Sequence, residues 1–207
     1  MARLNVNPNR MELSRLKKRL VVAKRGHKLL KDKQDALIKA FLERAREGKV
    51  LREELESELA ECYKSFLLAR AQTLPAMLEQ ALMISGAKCD LHVGMQNVMS
   101  VLVPVYSVEQ GGSPVNYGLA TSLGSLDVAL ERFAALIPRL IALAAKEKAI
   151  NLMAVEIEKT RRRVNALEHV LIPGFVETIR YITMKLDEQE RSTLSRLMKI
   201  KEIVRSH

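Results

Sequence analysis

The sequence predicts a mainly α protein: a long antiparallel two-helix coiled coil formed by the N- and C-terminal helices, with a short central β-hairpin region. Three observations lead there. Near the beginning, Leu13, Leu16, Leu20, Ala23, His27, Leu30, Gln34, Leu37 and Phe41 keep a 3-4 spacing, with seven of nine positions apolar, and such a stripe needs a partner helix. In the second half Leu123, Leu126, Leu130, Phe133, Ile137, Leu140 and Ala144 repeat the pattern. Ile150, Met153, Ile157, Thr160, Val164, Leu167 and Leu171 resume it one register later. The third observation is the interruption between them, where Gly86, Gly94, Gly111, Gly112, Gly118, Pro104 and Pro114 cluster. The expected organisation is therefore an N-terminal coiled-coil helix over 1–84, a hairpin and loops over 85–118, and a C-terminal coiled-coil helix over 119–207.

The first helix is expected to begin near residue 8. Asn9 with Glu12 three residues later forms a capping-box pattern, and Asn7 before Pro8 offers an alternative start. No proline follows until Pro75, so the helix has room for about 66 residues, roughly 100 Å at the α-helical rise. Gly26 and Gly48 soften it without stopping it. The repeat falters around Arg44 and Gly48, then returns as Leu51, Leu55, Leu59, Cys62, Phe66 and Ala69 with an extra four-residue step, a stutter that locally unwinds a supercoil. In the middle, a Val-rich run predicts strands pairing roughly 89–93 with 100–105 and turning between Gly94 and Asn97. Gly111-Gly112-Ser113-Pro114 reads as a flexible link. The second long helix is expected to start between Leu119 and Leu126, to bend without ending at Pro138 and Pro173, and to carry its stripe through Ile179, Ile182, Leu186, Gln189, Thr193, Leu197, Ile200 and Val204. Both termini should then lie at one tip of an antiparallel rod.

Composition supports helices over a packed globule: aromatics make up 4% of 207 residues, Trp is absent, and there are nine Gly and six Pro. A formal net charge of +10 implies an acidic partner surface, nucleic acid or an anionic membrane face. Cys62 and Cys89 lack metal-type spacing and no apolar leader opens the chain, which fits a reducing cytoplasmic setting. The longest near-apolar run, residues 133–145, is broken by Pro138 and Arg139 and falls short of the roughly 20 residues a spanning helix requires, so membrane association is expected only through other proteins.

Catalytic and ligand motifs are missing. A phosphate-cradling G-x-x-x-x-G-K-[ST] loop does not occur, so the chain is not expected to hydrolyse nucleotide itself. His27, His92, His169 and His207 are isolated, without H-E-x-x-H or paired-Cys spacing, and neither a metal nor a cofactor is expected. His27 occupies a stripe position one heptad before Gln34, the pattern of a polar register device. Charge is the strongest local feature. Residues 10–33 hold ten Lys or Arg against Glu12 and Asp32, Arg161-Arg162-Arg163 forms a second cluster, and residues 43–61 hold seven Glu against four basic residues. Most charged helix faces are simply solvated, but three consecutive arginines sweep so far around a helix that some should point beside the seam. Glu156, Glu158 and Glu168 are the candidate partners.

Certain segments resemble a known family. Asn7-Pro8-Asn9-Arg10-Met11-Glu12-Leu13 and Arg25-Gly26-His27-Lys28-Leu29-Leu30-Lys31-Asp32-Lys33 are similar to segments of the D subunit of V-type (vacuolar and archaeal-type) ATPases. So are Glu156-Ile157-Glu158-Lys159-Thr160-Arg161-Arg162-Arg163-Val164-Asn165-Ala166-Leu167-Glu168, Val170-Leu171-Ile172-Pro173 and, in the hairpin, Asn97-Val98-Met99. His169 stands where that family suggests an aromatic, and Asn9 where it suggests a small hydroxyl residue. The resemblance implies a non-catalytic central rotor shaft of a rotary ATPase or ATP synthase, both termini deep in a hexameric ring of A and B subunits. It further implies an F subunit bound lower down and a connector subunit leading to the membrane rotor, without direct nucleotide or nucleic acid binding. In that setting Arg25, Lys28, Lys31, Arg161, Arg162 and Arg163 are the candidate contacts with acidic ring loops, and the chain is cytoplasmic and peripheral to the membrane.

Two other classes remain compatible with the bare pattern. A basic coiled coil that binds nucleic acid through its phosphates would show a steep salt dependence, but the chain lacks interleaved aromatics for base stacking. A prefoldin-like chaperone also joins long helices through hairpins, yet it relies on hydrophobic tips, whereas Lys201 and Arg205 are polar.

Overall fold

The computed structural model describes residues 4–83, 86–118 and 124–205. The elements are α1 (Arg10–Gln72), α2 (Pro75–Met83), β1 (Lys88–Val98), β2 (Val101–Gly111), α3 (Gly124–Ala166), a π-helical turn (Leu167–Leu171) and α4 (Ile172–Arg205). The fold is mainly α, with antiparallel pairing of N- and C-terminal helices and one two-stranded antiparallel sheet between them in sequence. The chain divides into two compact units, Met1–Ala36 with Ile157–His207, and Leu37–Glu156.

In the first unit α1 opens on the expected cap. The Glu12 backbone N–H donates to Asn9 Oδ1 at 2.6 Å and the Leu13 N–H to the Asn9 carbonyl at 3.1 Å. Only half the capping box forms, because the Glu12 carboxylate turns to Arg15 instead. Leu16, Thr160, Val164, Thr178 and Ile182 are buried. Thr178 is satisfied twice over, donating to the Gly174 carbonyl at 2.7 Å and accepting from the Leu4 N–H at 3.1 Å. The segment before α1 therefore turns back along α4. Arg10 pairs with Glu190, and α4 continues from there to Arg205, past the level at which α1 starts; the termini themselves, expected to meet at one tip, lie outside the described residues.

The π turn sits where a bend is expected. Pro173 has no N–H and its ring crowds the carbonyl four residues earlier, that of His169. The backbone answers by widening one turn, and the Ile172 N–H reaches back five residues to the Leu167 carbonyl. The helix thereby continues with Pro173 in place instead of breaking.

In the second unit the remainder of α1 packs antiparallel on α3. Leu55, Cys62 and Leu136 form one core cluster with Leu51, Leu59, Phe133 and Leu143 against it. Ala69, Leu78 and Leu126 form another with Phe66, Ala81, Tyr117 and Leu130. Phe133 meets Tyr63 and Phe66 edge-to-face, with centroids 5.6 and 6.3 Å away, the arrangement ring quadrupoles favour. Two expectations change here. The α3 stripe does not run through Ile137, Leu140 and Ala144: Leu136 is buried while Leu140 and Ala144 are exposed, because α3 has neighbours on two sides and its seam toward α1 moves by one residue. Leu123 lies outside the described residues. Gly48, moreover, is not a flaw in the α1 stripe. It is buried, and a Cβ there would lie 3.2 Å from Ile150 Cδ1, so the glycine makes room for the α3 side chain.

The first long helix also ends sooner than residues 1–84 would allow. Thr73 folds its hydroxyl onto the Ala69 carbonyl at 2.9 Å, and Pro75 opens a separate nine-residue helix, as proline does at a first helical position.

The hairpin exists but is longer and turns later than expected. Lys88↔Gly111 through Val98↔Val101 pair in unbroken register about a two-residue turn at Met99 and Ser100. Both turn residues have positive φ, 51° and 70°, the combination of a type I′ turn. The Ser100 N–H donates to Asn97 Oδ1 at 2.9 Å, which helps to hold residues that would not choose this conformation. Gly112, with φ +80°, passes so close to the chain that a Cβ would lie 2.1 Å from the Gly86 carbonyl oxygen. The segment expected to be a flexible link is thus pinned at the base of the hairpin.

Candidate partner-binding surfaces

All six candidate basic residues lie in the first unit. Arg25, Lys28 and Lys31 are exposed on α1, and Arg161, Arg162 and Arg163 are exposed in the last turns of α3. The His27–Glu168 contact at 3.3 Å shows which residues of the antiparallel pair come level. Four residues further along α1 and four back from Glu168, Lys31 and Val164 come level, which brings the triple arginine alongside the end of the α1 basic run. None of the three arginines enters the seam, whose occupant at that point is buried Val164. Arg162 pairs with Glu158 one turn back, while Glu168 goes to His27. Among the described residues the other five make no ion pair, so five cations remain available to a partner.

The acidic stretch of α1 has a different fate. In the second unit Glu58 and Glu54 take Arg139, the latter at 3.5 Å; Glu47 takes Lys146 at 3.4 Å; and Arg52 bridges Glu56 at 3.0 Å and Glu147 at 3.3 Å. Its charges are largely used within the chain, where each exposed pair contributes little individually. The pairs on the Arg52 guanidinium raise its pKa, first through the Glu56 hydrogen bond.

The hairpin is placed by a backbone defect. Pro138 lies inside α3 and cannot donate to the Ala134 carbonyl. Gln110, near the end of β2, supplies the missing donor: its Nε2 meets the Ala134 oxygen at 2.8 Å. Further toward the turn, Val103 and Pro104 flank a groove with Ala142, Ala145 and Ala149 of α3, whose small side chains let a strand approach closely. Val101 and Val103 are buried as a result. At the base of this unit Tyr117 donates to Asp127 at 2.5 Å. Burial first, then that bond and the nearby carboxylate charge, raise the phenol's pKa well above its ordinary value.

Two exposed apolar features go beyond the contact surfaces expected from the sequence. Leu91, Val93 and Met95 of β1 are 49, 56 and 70% exposed. On α4 every residue of 187–205 is exposed, including Leu194, Leu197 and Ile200 of the stripe. A signal for the second is present: the stripe continues toward Val204 although the sequence before residue 10 has no matching helix. Cys62 is buried and Cys89 exposed, both as free thiols. Among the described residues no group of three His, Cys, Asp or Glu could hold a metal, and no helix is long and apolar enough to cross a membrane. His207 lies outside the described residues.

Antiparallel helix pairs, one interposed hairpin, and both basic and apolar side chains left on the outside define a helical protein built to make surface contacts. The chain belongs to the family of ATP synthase D subunits, which it matches over residues 12–202. It is 54% identical over 206 residues to the V-type ATP synthase D subunit of Thermoanaerobacter sp. (strain X514), covering 99% of both chains. The V-type ATP synthase D subunit of Clostridioides difficile (strain 630) is 53% identical over 207 residues, covering 99% of this chain and 93% of its own. That of Acetivibrio thermocellus is 51% identical over 208 residues, with 99 and 94% covered.

Proposed function

We propose that this chain is the central shaft of a V-type ATP synthase, a non-catalytic subunit that transmits torque between a hexameric ring of A and B subunits and the ion-translocating rotor in the membrane. The observation that carries the reading is the state of the first unit. Its helices leave Arg25, Lys28, Lys31, Arg161 and Arg163 without carboxylate partners among the described residues, and several turns farther along the same unit α4 runs past its last intrachain ion pair to another helix with apolar residues exposed. A surface of that kind suits a bearing enclosed by another protein. ATP is then bound and turned over on the ring. An F subunit and a connector subunit hold the shaft lower down, and the chain is peripheral to the cytoplasmic face of the membrane.

The mechanism is a population shift around a circle. Nucleotide occupancy opens and closes the ring's catalytic sites in turn, and each closed state favours one shaft orientation through differential contacts. Exposed ion pairs contribute about 0–1 kcal/mol each, so the basic residues act together to set dwell angles while none locks the shaft. Arg162→Ala, which loses a residue already paired to Glu158, is expected to leave turnover within about twofold of wild type; abolished turnover in an assembled complex would overturn this distributed picture.

The reading is tested by assembling A and B subunits with and without this protein. One copy per hexamer by native mass spectrometry, with altered ATP turnover, is the expected result. Failure to join the ring, together with nucleic acid binding that weakens steeply with salt, would replace the shaft by the basic coiled-coil reading.

A further inference from the structure

The hairpin carries a strand edge that the chain does not protect. In a two-residue hairpin the residues flanking the turn form a hydrogen-bonded pair, and such pairs alternate with non-hydrogen-bonded ones along the ladder. Val98↔Val101 closes this turn, so the even-numbered residues of β1, including Gln96, Gly94, His92 and Asp90, point their N–H and C=O groups at β2. Cys89, Leu91, Val93, Met95 and Asn97 point theirs the other way. The register has an independent check: Pro104 pairs with Met95 in a non-hydrogen-bonded position, where a missing N–H faces away from β1.

The two edges differ. The outer edge of β2 is interrupted by Pro104, and its residue Gln110 is engaged with α3. The outer edge of β1 has neither proline nor charge at its five outward positions, and among the described residues no backbone partner meets it. The same five residues carry the exposed apolar side chains Leu91, Val93 and Met95. Natural proteins normally blunt such an edge with charge, proline or a covering element.

We propose that β1 is a strand-addition site, occupied in the assembled ATP synthase by an extended segment of another polypeptide. That segment pairs its backbone with the outward groups of Cys89, Leu91, Val93, Met95 and Asn97 and lays apolar residues at alternate positions over Leu91, Val93 and Met95. The occupant is an uncharged, apolar segment of another subunit, because the outward positions Cys89, Leu91, Val93, Met95 and Asn97 carry no charge to be matched and the family is one of subunits of a larger complex. The inference rests on membership of the ATP synthase D-subunit family and not on the shaft reading.

Residue-resolved amide hydrogen exchange tests it, comparing the isolated full-length protein with the purified ATP synthase that contains it. In the isolated chain the amides of Asp90, His92, Gly94 and Gln96 are expected to be protected, and those of Leu91, Val93 and Met95 to exchange freely. In the complex the second set slows by about tenfold or more. Val93→Pro removes one outward donor and no β1–β2 bond, so it should abolish the new slowing at Leu91 and Met95 and leave the even-numbered amides protected. If the substitution opens the ladder itself, Leu91→Lys, which keeps every backbone group, replaces it and should have the same effect. Unchanged exchange of the outward amides in the complex overturns the proposal. So does slowing that survives Val93→Pro, which would mean cover without strand pairing, or slowing that survives Leu91→Lys, which would mean that the apolar side chains do not seat the segment, and so does concentration-dependent slowing in the isolated chain, which would name a second copy as the occupant. Each outcome is read whether or not the chain alters ring turnover.

Discussion

The Gln110 side chain replaces a hydrogen bond that Pro138 removes from α3, and a double-mutant cycle measures that substitution of one donor for another. In the native chain the Ala134 carbonyl has no N–H four residues on, and Gln110 Nε2 serves it at 2.8 Å. Gln110→Ala leaves the carbonyl to water and is expected to cost about 1 kcal/mol, the net worth of a typical hydrogen bond. Pro138→Ala restores the helical donor, and an interior proline disfavours a helix by up to about 3 kcal/mol relative to alanine, so this variant should be more stable than wild type. Once the Pro138→Ala backbone supplies the N–H, Gln110 is redundant. Gln110→Ala should then cost close to nothing, a coupling of about 1 kcal/mol. Urea unfolding followed by far-UV circular dichroism reads this directly: with a slope of about 2 kcal/mol/M, Gln110→Ala lowers the midpoint by about 0.5 M in the wild-type background and leaves it nearly unmoved in Pro138→Ala. Equal penalties in both backgrounds, within about 0.5 kcal/mol, would show that Gln110 does not act through that carbonyl.

Other perturbations follow from the same geometry. Gly112→Ala places a methyl 2.1 Å from the Gly86 carbonyl oxygen at a positive φ and should cost at least about 1–3 kcal/mol; an unchanged thermal midpoint would refute the close approach. Replacing Met99-Ser100 with Asn-Gly relieves two left-handed residues and should stabilise the hairpin by about 1–2 kcal/mol, seen as slower exchange of the β1 ladder amides. The Tyr117 phenol titrates higher in the folded chain than unfolded, so its contribution is complete below pH about 10 and is lost as pH rises beyond it; Tyr117→Phe should flatten that alkaline decline, and an identical decline in the variant would exclude Tyr117 as its source. Asn9→Ala removes the acceptor of the Glu12 N–H and should cost about 1 kcal/mol locally, measured as faster exchange in the first turn of α1.

What the sequence discloses depends on how local the cause is. The N-cap is readable because Asn9 and Glu12 act within one turn, and the α1 stripe is readable where its buried members Leu55 and Cys62 face one partner, α3. The expected α3 seam departs from the structure after Phe133 because a period describes one buried face, whereas α3 serves two neighbours. The hairpin turn is expected too early because Met99 and Ser100 are not residues that advertise positive φ, while Gly94 and Asn97 are. Gln110 meeting Ala134 spans 24 residues and leaves no periodic trace; only Pro138 signals that some carbonyl needs a donor. The basic candidates are readable as clusters, but their exposure is not, since a run of arginines does not reveal that Val164 fills the seam in their place.

The helix beyond Glu190 has a consequence for how this unit holds together. Fifteen residues of α4 follow that ion pair, about the length at which a lone helix in water is only marginally stable. Residues 191–205 therefore hold their helical shape weakly unless something covers them, so Leu194, Leu197 and Ile200 form the apolar surface of this unit that unravels most readily.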